Sequence, residues 1–293
     1  MIAPLYPSEL VRSLRIPQPA ASGCGSVFTP VILDRIRASA EARGESLAQA
    51  VRHHVLAGVV ERVALAPDGG SFVLRGGLLT RLWIAPRRRA TRDLDFVGDF
   101  AFDVADTVRR FVPALAIALP DEVAIDAGSL AAHGIWLDTA FPGVRIALTV
   151  GFGRADQPLT IDIGFGDPLV PPATTIALPN AEVRAVRPET QIAWKLHALA
   201  EMGESWRPKD LADLWLITSR VALVANDLPP AIEAAFESRG YRVDDAVRLL
   251  DLPHWETKTA RVRWSGDKTG SPELARVLAD VRAALAPALE AMR

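Results

Sequence analysis

The sequence is poor in the residues that build disulfides, metal–thiolate sites and membrane spans. Cys24 is the only cysteine among 293 residues, which excludes an internal disulfide and a zinc site built on cysteines. No apolar run approaches the roughly 20 residues that a membrane-spanning helix needs. The first residues also lack the charged stretch and apolar core of a secretion leader. The sequence therefore predicts a cytoplasmic protein with no membrane partner.

Lysine and net charge are also scarce. The formal net charge is −2 at pH 7, so no global basic field attracts nucleic acid, and any such contact must come from a local patch. Only four of the 33 basic residues are lysines, which makes a lysine inside a motif informative. An apolar fraction of 49% and a charged fraction of 23% are typical of a globular protein with a substantial core.

The stretch FVLRGGLLTRLWIAPRRRATRDLDFV, from position 72, is the most informative part of the chain. Its apolar start predicts a short buried strand that breaks at Gly76-Gly77 and is followed by a helix. Asp93 and Asp95 enter a second strand, where residues two apart point to the same face. Two neighbouring carboxylates repel each other unless a cation lies between them, and amides at a glycine-rich helix start bind anions. This combination predicts a site for a metal–nucleoside triphosphate complex.

A further acidic residue lies inside an apolar hairpin. The pattern predicts one strand over 145–152, a turn over 154–158 and a returning strand over 159–163, which contains Asp162. A buried carboxylate costs on the order of several kcal/mol unless it is paired or bound to a metal. An ion pair with an arginine and a solvent-facing position are the alternatives to a metal. The proline-rich segment 168–188 predicts a link with one more strand.

Helical patterns fill both ends of the chain. The first 29 residues predict an irregular arm, followed by a helix from Pro30 and a second helix that Ser46 caps. Adjacent His53 and His54 point about 100° apart on that helix, which predicts one half-buried and one solvated histidine. Residues 228–293 are largely helical, with Trp255 and Trp264 in a loop or extended region.

Two helices after the core carry charged residues beside apolar stripes. Pro188 favours a helix start, and Lys195 lies next to the apolar stripe of that helix. Asp210 and Asp213 share one face of the following helix because they are three residues apart. A lysine that extends from an amphipathic helix to water is the alternative to a ligand contact for Lys195. For Asp210, a capping or surface charge is the alternative.

Four blocks of sequence resemble one family. They are the glycine pair with Arg89-x-Thr91-x-Asp93-x-Asp95, then LTIDIGFGD at 159–167, PETQIAWKLHAL at 188–199 and RPKDLADLWLI at 207–217. In this order they resemble the nucleotidyltransferase superfamily that includes DNA polymerase β. The closer resemblance is to the AbiEii/AbiGii-type toxin nucleotidyltransferases of bacterial type IV toxin–antitoxin systems. Leu78 departs from the pattern, since many members have a hydroxyl residue after the glycine pair.

The resemblance implies an α+β fold with a DNA polymerase β-like mixed-sheet core, N-terminal helices and a C-terminal helical domain. The corresponding domains are an arm with helices at 1–66, the nucleotidyltransferase core at 67–185 and the helical domain at 186–293. The implied activity is metal-dependent transfer of a nucleoside monophosphate from an NTP to an acceptor hydroxyl. The resemblance also implies RNA, tRNA in particular, as the acceptor, a role as the toxin, and a cognate antitoxin as partner.

The resemblance assigns roles to individual residues. Asp93, Asp95 and Asp162 would hold two Mg²⁺ ions, with Mn²⁺ as the alternative ion, and Lys195 would complete the catalytic set by reaching the triphosphate. Asp213 would position Lys195 or the acceptor. The residues expected to contact the NTP are Gly76, Gly77, Arg89, Thr91, Lys195 and Asp213.

Two other functions are compatible with the motifs. One is an NTP-binding or antitoxin-binding module without transferase activity, which Leu78 favours. The other is a phosphatase of the haloacid-dehalogenase type, which also uses Asp-x-Asp. In that class the motif closes the first strand of a Rossmann-like domain, and no glycine pair precedes it.

Overall fold

The computed structural model describes residues 30–85, 89–153, 155–265 and 272–293. The predicted arm, with Cys24, and the arginines at 87 and 88 lie outside these ranges. The chain forms two compact units. The first takes in the chain to residue 79 together with 90–166 and 175–185, and the second contains 80–89, 167–174 and 186–293.

The first unit is built on a seven-stranded mixed sheet. Its strands are β1 (Phe72–Arg75), β2 (Leu94–Gly98), β3 (Val123–Ile135), β4 (Gly143–Phe152), β5 (Ala155–Phe165), β6 (Thr174–Ala177) and β7 (Glu182–Ala185). Their order in the sheet is β3-β4-β5-β2-β1-β7-β6. The pairs β1–β2, β3–β4 and β4–β5 are antiparallel, whereas β2–β5 and β1–β7 are parallel. This mixed sheet with its helices confirms the α+β fold class.

The β4–β5 hairpin is longer than the sequence predicts. Phe152 pairs directly with Ala155, so the connection has two residues and not the predicted turn over 154–158. Gly153 has φ +65°, the conformation that a two-residue hairpin turn requires. The prediction failed because Asp156 and Pro158 favour turns locally, whereas here both lie in paired positions of β5. The segment 168–188 likewise forms two strands, β6 and β7, and not one.

Among the described residues before position 112, the chain forms four helices. They are α1 (Pro30–Arg43), α2 (Leu47–Leu65), α3 (Gly76–Trp83) and α4 (Val104–Phe111). Ser46 caps α2 as predicted, since its hydroxyl accepts from the amide of Gln49 and the Gln49 side chain accepts from the Ser46 amide. After α4 the chain tightens into a 3₁₀ turn over Val112–Ala116, which contains Pro113. A proline inside an α-helix would remove a backbone hydrogen bond.

The second unit is helical. Its helices are α5 (Pro188–Met202), α6 (Pro208–Arg220), α7 (Leu228–Glu237), α8 (Val243–Leu249), α9 (Lys258–Trp264) and α10 (Leu274–Ala291). Trp255 and Trp264 do not lie in a loop: Trp255 is in a 3₁₀ turn, Trp264 ends α9, and both are buried. Trp206 packs between them, with its ring centroid 5.0 Å from that of Trp255. The indole N–H groups of Trp255 and Trp264 donate to backbone carbonyls, so neither buried ring leaves its hydrogen-bond donor unsatisfied.

Within the described ranges, no helix combines the length and the apolar character that crossing a membrane would require.

Candidate active site

A row of four charged residues crosses neighbouring strands of the first unit. Arg75 on β1 pairs with Asp95 on β2, Asp95 pairs with Asp162 on β5, and Asp162 pairs with Arg145 on β4. Directly paired residues project from the same face of a sheet. The four side chains therefore form one line with two carboxylates between two guanidinium groups. We call these residues, together with Asp93, the carboxylate row.

Gly76 brings the start of α3 against Asp95. Its φ is +75°, and a Cβ atom added there would lie 2.1 Å from Oδ2 of Asp95. Only glycine fits this position, both because of its backbone conformation and because the carboxylate occupies the space. Gly77 follows in the first turn of α3. The structure thus brings together the glycine pair and the second aspartate of the Asp-x-Asp motif.

Asp93 is exposed and immediately precedes β2. The Thr91 hydroxyl donates a hydrogen bond of 3.1 Å to Oδ1 of Asp93, and the Thr91 amide donates to Nε2 of His53 at 3.4 Å. Nδ1 of His53 lies 3.4 Å from a carboxylate oxygen of Glu45. His53 is buried and His54 is half-buried, so the predicted solvated histidine is wrong. Thr91 orients Asp93, whereas its predicted contact with phosphate stays a prediction.

Asp162 is held by an arginine. Nε and Nη2 of Arg145 donate to Oδ1 and Oδ2 of Asp162 at 2.7 and 2.8 Å, so the pair is bidentate. Hydrogen bonding to Asp162 raises the pKa of Arg145 against the opposing effect of burial, and the carboxylates of Asp93 and Asp95 add to the rise. The ion-pair alternative for Asp162 is thus the arrangement found. Arg145 was not predicted as a site residue, because its partner is set by strand register.

The second unit contains another charged cluster, built on α5 and α6. Lys195 Nζ lies 2.7 Å from a carboxylate oxygen of Asp210 and 2.9 Å from one of Asp213. Arg89 makes a bidentate pair with Asp213, with Nε–Oδ1 at 2.5 Å and Nη2–Oδ2 at 3.0 Å. Arg207 donates to the other oxygen of Asp210 at 2.7 Å. We call these five residues the ion network.

In the ion network, the effect of charge pairing on the pKa values of Lys195, Asp210 and Asp213 outweighs the effect of burial. Burial alone would raise the pKa of Asp213, but Lys195 and Arg89 outweigh it and lower that pKa. The pKa of Asp210 is lowered in the same way by Lys195 and Arg207. Burial would lower the pKa of Lys195, yet Asp213 and Asp210 raise it in spite of Arg89 nearby. These shifts favour the ionised forms of Asp213, Asp210 and Lys195.

The ion network corrects two expectations from the sequence. Asp210 is buried and paired, so the surface or capping role weighed for it is wrong. Lys195 does not simply extend to water, because its ammonium lies close to two carboxylates. Its side chain is nevertheless 16% exposed. Arg89 binds Asp213 in this structure, and its predicted phosphate contact stays a prediction. The link between Asp213 and Lys195 was one of the two roles weighed for Asp213.

The oxygen donors of the carboxylate row determine how well it fits a metal. Asp93 and Asp95 both lie within electrostatic reach of the Arg145 guanidinium, and carboxylates are ligands that suit a hard cation. Asp162 differs, since both of its oxygens accept from Arg145. In the described part of the chain, no group of three or more His, Cys, Asp or Glu side chains is arranged to hold a metal ion. Two of the three predicted ligands thus fit an ion, and Asp162 does not in this arrangement.

The order of motifs and the geometry agree with a family comparison. The sequence profile described as "Nucleotidyl transferase AbiEii toxin, Type IV TA system" matches residues 59–286. The chain belongs to this AbiEii family. It is therefore a nucleotidyltransferase of a toxin family, which argues against both the phosphatase and the module without activity. The phosphatase is also excluded by the fold, because the Asp-x-Asp motif enters the second strand of a mixed sheet.

Two solved structures are similar to this AbiEii family member. A proposed nucleotidyltransferase from H. pylori matches with a TM-score of 0.50 and 16% identity, over 84% of this chain and 97% of that one. JHP933 from Helicobacter pylori has a TM-score of 0.41 and 15% identity, over 84% and 94% of the two chains. The first likeness shows the nucleotidyltransferase fold. Among curated proteins, no relative matches the chain.

Proposed function

We propose that this protein transfers a nucleoside monophosphate from an NTP to a hydroxyl of RNA, tRNA in particular, in a reaction that depends on a divalent metal. We propose further that it acts as the toxin of a type IV toxin–antitoxin pair and binds a cognate antitoxin. The toxin family supports the second statement. The observation that carries the first is the Asp95 carboxylate against the glycine start of α3, with the exposed Asp93 two residues before it in the chain.

Asp93 and Asp95 are the residues that would hold the metal. Their carboxylate oxygens are the ligands that Mg²⁺ prefers, and Mn²⁺ accepts the same donors. A bound ion would neutralise phosphate charge and lower the pKa of the acceptor hydroxyl. Thr91 supports this role, because its hydroxyl bond to Oδ1 fixes the orientation of the Asp93 carboxylate.

The start of α3 would receive phosphate through its backbone. The start of a helix lies at the positive end of the helix dipole, which favours an anion. Gly76 and Gly77 allow a close approach because they carry no Cβ atom. Leu78 offers no hydroxyl, so phosphate contacts at this turn would come from amides alone.

The proposed transfer balances without any further reactant. The acceptor oxygen forms a bond to the α-phosphorus while the bond from that phosphorus to the oxygen bridging to the β-phosphate breaks. Pyrophosphate leaves with the electron pair, and the hydroxyl proton passes to solvent. We also propose that Lys195 contacts phosphate of the NTP. The accessible part of its side chain and the excess of cations over carboxylates in the ion network support this contact.

A labelling experiment tests the proposed function. The protein is incubated with total RNA, Mg²⁺ and each α-³²P-labelled NTP in turn. Label from at least one NTP should enter RNA, and both EDTA and Asp95→Asn should abolish this incorporation. Asp156→Asn is the matched control, since Asp156 is an exposed aspartate on β5 outside the carboxylate row. Incorporation that persists in EDTA or in Asp95→Asn would contradict the proposal.

A further inference from the structure

Strand register fixes the position of Arg145. Its neighbours in the β4–β5 ladder, Val144 opposite Ile163 and Ile146 opposite Ile161, are all fully buried. A slip of one residue would move these apolar side chains to the other face and bury the guanidinium in their place. Apolar packing therefore holds Arg145 opposite Asp162 on the face of the sheet that carries the carboxylate row.

The Arg145–Asp162 pair engages both carboxylate oxygens of Asp162. A guanidinium matches a carboxylate with two parallel N–H bonds, and both bonds are present here, at 2.7 and 2.8 Å. A metal ion on Asp162 would have to share these oxygens and would lie beside a guanidinium of the same charge sign. Asp162 therefore does not fit the role of a metal ligand while this pair exists.

Arg145 has capacity left for a ligand. A guanidinium carries five N–H donors, and Asp162 takes two of them. The Arg145 side chain remains 41% exposed, against 15% for Asp162. The influence of Asp93 and Asp95 on Arg145 places its positive charge within electrostatic reach of both carboxylates. A cation with free donors thus lies in the same row as Asp95, with Asp162 between them.

We infer that this chain uses one divalent ion, on Asp93 and Asp95, and that the Arg145 guanidinium takes the place of a second ion by binding phosphate of the NTP. Asp162 is then a positioning residue that holds Arg145. This inference rests on the proposed function and departs from the two ions that the family resemblance implies. A guanidinium is suited to the role because it is permanently charged and binds phosphate oxygens through paired N–H bonds.

Counting ions tests the inference directly. Mn²⁺ is titrated by electron paramagnetic resonance into the protein with a saturating α,β-methylene analogue of the NTP that labels RNA. Controls with the analogue alone give the Mn²⁺ that unbound analogue carries, and this amount is subtracted, so the protein-dependent count is the number of ions in the complex of protein and analogue. We expect one protein-dependent ion in the wild type and in Asp162→Asn, and its loss in Asp95→Asn.

The possible outcomes separate the two proposals. Two protein-dependent ions in the wild type, with one lost in Asp162→Asn, would overturn the inference and leave the proposed function standing. Failure of the wild type to bind any Mn²⁺ would overturn both. A count of one that is insensitive to Asp162→Asn and sensitive to Asp95→Asn supports the inference.

Arg145 variants test the phosphate contact. Arg145→Ala should weaken binding of the analogue by about tenfold to a hundredfold, the usual loss for a hydrogen bond to a charged group, with the Mn²⁺ count unchanged. Arg145→Lys should recover part of this loss, because it keeps the charge without the paired donors. If Arg145→Ala does not fold, the comparison of Arg145→Lys with wild type still tests the contact. Arg184→Ala is the matched control, since Arg184 is similarly exposed on β7 and pairs with Asp99 at 2.6 Å.

Two results would contradict the phosphate contact. Arg145→Ala could gain a second Mn²⁺ ion and keep the wild-type affinity for the analogue, which would mean that the arginine merely occupies a metal site. Alternatively, Arg145→Ala and Arg145→Lys could both bind the analogue as Arg184→Ala does, which would leave Arg145 a structural partner of Asp162.

Discussion

The carboxylate row and the ion network use the same kinds of residue in opposite environments. In the row, Asp93 is exposed and Asp95 half-buried, and neighbouring carboxylates project from one face of the sheet. In the ion network, the side chain of Asp213 has no exposure and lies between Arg89 and Lys195. The first arrangement leaves negative charge beside solvent, whereas the second compensates it inside the protein.

The difference indicates which cluster faces a ligand and which supports the fold. Charges near solvent cost little in water and can bind a cation or a charged substrate when one arrives. Buried charges cost several kcal/mol each unless they are paired. Removing one member of a buried network therefore destabilises the protein. Substitutions in the two clusters should therefore affect different properties of the protein.

The largest effect is expected in the ion network. Asp213→Asn should lower the free energy of unfolding by about 3–5 kcal/mol, the cost of removing one partner from a buried ion pair, because Arg89 and Lys195 lose their shared carboxylate. Denaturant unfolding followed by circular dichroism measures this change. Asp156→Asn, at an exposed position, should stay near wild type. An Asp213→Asn variant as stable as Asp156→Asn would contradict the conclusion that the ion network supports the fold.

Acid should weaken the same network. The pKa values of Asp213 and Asp210 are lowered in the folded protein, so the unfolded state takes up protons first as pH falls. Their contribution is present above about pH 4, the unfolded value, and is lost as pH falls through the folded pKa values. Unfolding free energy should thus fall more steeply below pH 4 in the wild type than in Asp213→Asn. Equal slopes would contradict this assignment.

The carboxylate row should show the opposite pattern. Asp93→Asn and Asp95→Asn should each slow nucleotidyl transfer by about 100-fold or more, since even residues that only support a metal ligand give 10- to 100-fold losses. Stability should stay within about 0.5 kcal/mol, as for surface substitutions, because Leu94 and Phe96 keep the strand buried. Single-turnover rates and melting curves test both parts. A near-normal rate would show that the row is not catalytic.

Variants of Lys195 and its partner can separate a role in binding the NTP from a role in supporting the fold. Lys195→Ala should weaken NTP binding by about 1–3 kcal/mol if the ammonium contacts phosphate, and it should also destabilise the fold. Asp210→Asn is the matched variant, because it breaks the same ion pair and keeps the ammonium. Calorimetry should therefore show weaker NTP binding in Lys195→Ala only. If both variants lose stability and neither loses NTP affinity, Lys195 serves only the network.

The parts of the fold that depend on local pattern were predictable from the sequence. The Ser46 cap, the strand before Gly76 and the helix start at Pro188 follow from residues close together in the chain. Period-two alternation predicted Asp93 and Asp95 in one strand, but only Asp95 lies in β2, because the strand begins at Leu94. The adjacency of Asp95 and Asp162 came from the family resemblance, since nothing in the local sequence sets it.

The parts that depend on distant pairing were not predictable. Arg145 meets Asp162 because two strands align in one register, and no single-strand pattern specifies that alignment. The burial of Asp210 follows from its pairing with Lys195 on another helix. The extended hairpin after Gly153 also escaped prediction, because cross-strand pairing overrides the turn preference of Asp156 and Pro158.

Calorimetric titration of the NTP that labels RNA tests most directly whether the carboxylate row binds a metal–nucleotide complex. Wild type is titrated in Mg²⁺ and in EDTA, and Asp95→Asn is titrated in Mg²⁺. Because the triphosphate and the row are both negative, binding should be strong only for wild type in Mg²⁺. Equal affinities in Mg²⁺ and EDTA, or an Asp95→Asn affinity equal to that of wild type, would contradict the account.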